Sequence, residues 1–91
     1  AFKPIDDDMK RHLGVNYGLQ VTGLDKGKLA DAGIKKGFVI LKVNGVKITS
    51  EDDLAKVLKE ANQSPERALF ISGYYTSGRR ANYAVDLADG E

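Results

Sequence analysis

Ala30-Asp31-Ala32-Gly33-Ile34-Lys35-Lys36-Gly37-Phe38-Val39-Ile40-Leu41-Lys42-Val43-Asn44-Gly45 is the stretch from which the fold can be read. Residues 28–32 make a brief helical turn that Gly33 closes. After Gly37, residues 38–43 are apolar except for Lys42, the pattern of a central, deeply buried strand. Asn44 and Gly45 both tolerate left-handed φ and predict a tight turn, with Val46-Lys47-Ile48 as the short return strand.

Upstream, Leu13-Gly14-Val15-Asn16-Tyr17-Gly18-Leu19-Gln20-Val21 holds an apolar-Gly-apolar turn that runs into a strand, in which Leu19 and Val21 alternate with Gln20 and Thr22. Such a turn can aim several backbone N–H groups at one spot, a nest that binds anions. If the strand after it were a sheet edge, a peptide could set its carboxylate in the nest and add itself as a strand. Residues 1–5 read as an edge strand interrupted by Pro4. Asp6-Asp7-Asp8 opens a short helix with Met9 and Leu13 on one face, and Gly14 stops it. Downstream, residues 50–62 form the main helix. Ser50 and Asp53 are its acidic capping pair, and Leu54, Val57, Leu58 and Ala61 its apolar stripe. Residues 68–75 and 80–87 pattern as a β-hairpin joined at 76–79. Five or six strands with one main and one or two short helices predict a mainly β, α+β domain. Its expected form is a partly open antiparallel barrel or sandwich capped by helices. The domain is expected over residues 2–87, with 88–91 as a tail.

Composition narrows the function. The 91 residues are 42% hydrophobic and 30% charged, as in an ordinary globular domain. Fourteen basic and 13 acidic residues leave a net charge of +1, so no global field draws nucleic acid or anionic membrane. No cysteine is present, which removes thiolate catalysis and cysteine-ligated metals. No apolar run approaches the ~20 residues that span a bilayer. A chain that starts at Ala1, without Met or a signal peptide, reads as part of a larger protein.

The order of apolar-Gly-apolar turn, strand, Ala-x-Ala-Gly-Ile-x-x-Gly, apolar strand, Val-Asn-Gly, Ser-capped helix and hairpin resembles a PDZ domain. The segment 30–45 is especially similar to the PDZ domains of bacterial HtrA/Deg-type serine proteases, in a late position along the chain. Phe38 stands where these domains usually carry Asp, and Lys28-Leu29-Ala30 replaces the usual Ser-Pro-Ala lead-in to the short helix. The resemblance implies a carboxylate-binding loop at Tyr17, Gly18 and Leu19. It implies a ligand-pairing strand at Gln20, Val21 and Thr22, and groove-facing helix residues Glu51, Ala55 and Leu58. It further implies a periplasmic, non-catalytic module, monomeric in isolation, that captures extended peptides or unfolded proteins with hydrophobic C-termini for its protease domain. The alternative is an assembly module that joins domains or subunits of the protease.

Other signals have blander readings. His12 has no Gly-x-Ser-x-Gly or related nucleophile signature with it and reads as a solvated residue. Asp6-Asp7-Asp8 and Glu51-Asp52-Asp53 lack calcium-loop spacing and stand where helix starts favour acids. Gly23-Leu24-Asp25-Lys26-Gly27-Lys28 is too short for a phosphate loop and has Leu29 where magnesium needs a hydroxyl. Tyr74-Tyr75 with Arg79-Arg80 could stack bases and bind RNA phosphates, but a solvated turn with cross-strand aromatic packing fits the neutral chain better. No catalytic residue, metal site or cofactor is expected, and neither nucleic acid nor membrane insertion.

Overall fold

A computed structural model of the chain describes residues 2–23, 28–65 and 68–86. Most of the phosphate-loop look-alike and the expected tail at 88–91 lie outside the described residues. In chain order the elements are β1 (Phe2–Pro4), α1 (Asp7–Leu13), β2 (Leu19–Val21), α2 (Lys28–Asp31), β3 (Val39–Val43), β4 (Val46–Lys47), α3 (Glu51–Gln63), β5 (Ala68–Tyr74) and β6 (Arg80–Asp86). All strand pairs are antiparallel, in the order β1-β2-β3-β5-β6, with β4 attached to β3. The expected α+β architecture is present as one open sheet, with β3 in the middle.

The helix ends follow local chemistry. Asp6 caps α1, its Oδ1 accepting the Met9 N–H at 2.8 Å, and Gly14 closes it at φ 70°. Ser50 caps α3, where Asp53 N–H donates to Ser50 Oγ at 3.4 Å. The Asp53 carboxylate turns back to accept the Thr49 N–H at 3.0 Å and the Thr49 hydroxyl at 2.5 Å. The Thr49 hydroxyl bond, followed by its backbone bond, holds the Asp53 pKa below 3.8.

One face of the sheet carries the core. Leu19, Val21, Ile40, Val43, Leu69 and Ile71 pack there against Leu54, Val57 and Ala61 of α3. Leu58 is half-buried against the same cluster. Phe38 is fully buried, its ring 4.9 Å from Tyr75 and 5.3 Å from Tyr83, edge-on to the latter. The two tyrosine hydroxyls bond each other, and Lys35 N–H donates to the Tyr75 oxygen at 3.3 Å. An apolar keystone thus stands at the position where the resembled family uses Asp.

Asn44 adopts φ 54° in the β3–β4 turn and ties that turn to β5. Its backbone N–H donates to the Phe70 carbonyl, its Nδ2 to the Ala68 carbonyl, and its Oδ1 accepts the Phe70 N–H. Gly73 lies under β3 so closely that a Cβ there would sit 1.9 Å from the Val39 carbonyl oxygen. His12 is exposed as expected, but it is not merely solvated. Its Nε2 lies 2.6 Å from the Thr76 carbonyl, joining α1 to the β5–β6 turn.

Candidate functional site

The expected groove depends on whether residues 19–22 form a free sheet edge. β2 pairs with β1 on one side, Phe2 opposite Val21 and Lys3 opposite Gln20, and with β3 on the other. Ile5 N–H donates to the Gly18 carbonyl at 3.2 Å, and Val21 N–H to the Phe38 carbonyl at 2.9 Å. In an antiparallel ladder hydrogen-bonded pairs recur at every second residue, so these two bonds set the direction of the others. Gln20 turns its backbone groups toward β1, while Leu19 and Val21 turn theirs toward β3. Both edges of β2 are therefore occupied. A peptide could pair with residues 19–21 only by displacing β1.

The side chains of this segment are committed as well. Leu19 and Val21 are fully buried in the core, and Gln20 Nε2 donates to the Gly37 carbonyl at 3.3 Å. Thr22 is half-buried just beyond the strand. Gly18 is buried, and a Cβ there would fall 2.7 Å from Val39 Cγ1 and close to Ile5 and Leu41. Close packing is thus what requires glycine here. The Tyr17 ring has the Lys47 ammonium 4.9 Å from its centroid, a cation–π contact. Lys47 lies opposite Lys42, which points away from the core, whereas α3 covers the core face.

β1 holds the position expected of the ligand strand: it is the outer strand, and α3 approaches it as well as β5. By the same parity Lys3 bonds inward to Gln20, while Phe2 offers its N–H and C=O to the free edge. Pro4 offers that edge only a carbonyl, since proline has no N–H. Phe2 packs against the core cluster. On α3, Glu51 and Ala55 are exposed and Leu58 is half-buried, forming one stripe at helical spacing. The sequence marks an edge strand at residues 1–5 but does not name its partner. Short strands carry no signal that names the strand they pair with.

A family model described as PDZ domain matches residues 20–70, from β2 into β5. A probable periplasmic serine endoprotease, DegP-like, from Bartonella henselae is 38% identical over 87 residues. That alignment covers 93% of this chain, and the chain spans 17% of the relative's length. The matched span exceeds half of the chain and contains the central strand, the Asn44-Gly45 turn and α3. The chain belongs to the PDZ domain family.

Proposed function

We propose that this domain docks extended peptides at the free edge of β1, with α3 as the opposite wall. The observation that carries the reading is the topology: among the described residues, β1 pairs on one side only, and the one long helix stands beside it. An incoming strand would bond to the Phe2 N–H and carbonyl, and its side chains would meet Ala55 and Leu58, with Glu51 at the start of the helix. Residues 17–22 then support β1 from behind rather than touching the peptide. Pro4 shortens the hydrogen-bonding edge, so affinity rests largely on side-chain burial and is weak. The DegP-like relative suggests that the module serves, without catalytic residues of its own, a periplasmic serine endoprotease, whose substrates or other unfolded chains with hydrophobic C-termini supply the peptides. A second reading, an assembly contact, draws on Phe70, which is 61% exposed on the outer sheet face.

Amide-shift titration of the labelled chain with a peptide ending in Val, Leu, Ile or Phe tests this. The expected Kd is on the order of tens of micromolar, equivalent to roughly −6 kcal/mol. Shifts should cluster at Phe2, Lys3, Ala55 and Leu58, and Leu58→Lys should abolish them while circular dichroism stays native. Shifts that avoid both β1 and α3 refute the site. A concentration-dependent dimer that is lost in Phe70→Ser would favour assembly.

A further inference from the structure

The far margin of the sheet, at the end opposite β1, has a polarity of its own. Among the described residues β6 pairs with β5 alone, and Tyr75 N–H donates to the Arg79 carbonyl at 2.9 Å. That bond sets the parity of the hairpin. Residues 81, 83 and 85 turn their backbone groups toward β5, while Arg80, Asn82 and Ala84 turn theirs outward. The seven-residue edge has no proline, unlike β1.

Two concavities border this edge in sequence. The first, of about 600 Å³, is lined by Lys35, Tyr75, Arg79, Arg80, Asn82 and Tyr83 among others. The second, of about 270 Å³, is lined by Asp31, Ala32, Ala84, Val85 and Asp86. Among the described residues, the wall of the first holds three cations and no acid, and that of the second holds Asp31 and Asp86. Among the described residues, neither Lys35, Arg79 nor Arg80 forms an ion pair. Concentrating uncompensated cations at one end of an open strand costs repulsion, which an anionic partner would relieve.

We propose that the β6 edge is a second docking trough, for an extended peptide with an acidic, carboxylate-ended terminus. The acidic end lies at Lys35, Arg79 and Arg80, and the amino end points toward the Asp86 end of β6. β6 runs from Arg80 to Asp86, so this polarity makes the peptide antiparallel to it. The backbone of the peptide pairs with Asn82 and Ala84, and its terminal carboxylate and acidic side chains take the guanidinium and ammonium donors. This trough and the proposed β1 site lie at opposite ends of the sheet and bind independently.

The test is an amide-shift titration of the labelled 91-residue chain. The probes are the peptide Thr-Val-Thr-Val-Glu-Glu with a free C-terminus and the reversed peptide Glu-Glu-Val-Thr-Val-Thr with an amidated end. The first should shift the amides of Lys35, Asn82 and Ala84 and bind at least about tenfold more tightly than the second. The exposed double variant Arg79→Glu/Arg80→Glu should lose a similar factor. Ala84→Pro should also weaken binding, because it removes an outward N–H and leaves the β5 ladder intact. Equal binding of the two peptides overturns the proposal, as do shifts confined to β1 and α3. The same holds if inorganic phosphate reproduces the whole pattern, or if these amides shift with protein concentration alone, which would make a second copy the occupant.

Discussion

At the scale of single residues, the Tyr75–Tyr83 pair shows how a family departure is absorbed. The hydrogen bond to Tyr75, then burial, pushes the Tyr83 pKa from 10.0 up to about 12. A phenol whose folded pKa is raised is favoured in its neutral form by folding. Its contribution is complete below pH 10 and is lost as the pH rises from 10 through about 12. Phenolate absorbance should therefore show one of the four tyrosines ionising near 12, and Tyr75→Phe should bring it back toward 10. Phe38 was legible only as a misfit in its motif. The two rings that make it an aromatic keystone come from the distant β5–β6 hairpin, and no local pattern announces them.

The helices and turns were far more legible, because their ends are set by contacts three or four residues apart. Asp6, Gly14 and Ser50 each sit where capping chemistry predicts. Asp53 extends its cap back to Thr49, and the depressed pKa gives this a pH signature. A carboxylate whose folded pKa is lowered stabilises above its unfolded value and loses that contribution as the pH falls through the folded one. Thr49→Val should thus lower the melting temperature at pH 7, and the gap from the unmutated chain should close as the pH drops below 3.8. Thermal unfolding followed by circular dichroism at both pH values is the measurement. A gap that persists at low pH would mean that Thr49 acts through packing instead. The Asn44-Gly45 turn was equally readable, though the bonds of Asn44 to β5 were not, since they join segments far apart in the chain.

Across the whole molecule, the proposed function turns on which strand edges are free. If β1 covers β2 as the ladder requires, the Gln20 amide is bonded and protected from exchange. Lys3→Pro removes the inward N–H of β1 and should destabilise the chain by about 1–3 kcal/mol, the cost of leaving a partner unsatisfied. Gln20 exchange should accelerate in that variant while Ile71 stays protected; unchanged exchange at Gln20 would mean that β1 does not seal the edge. The sequence by itself determined the identity of nearly every element, the helix caps, the buried faces of the strands and, through segment 30–45, the family. Those features rest on periodicity and on short-range hydrogen bonds, which a chain carries along its own length. Only the tertiary structure decided that β1 lies outside β2, that Gly18 serves close packing, and that, among the described residues, the free edges belong to β1 and β6. A strand edge is open or closed according to what lies beside it, and that neighbour is chosen by the packing of the whole core.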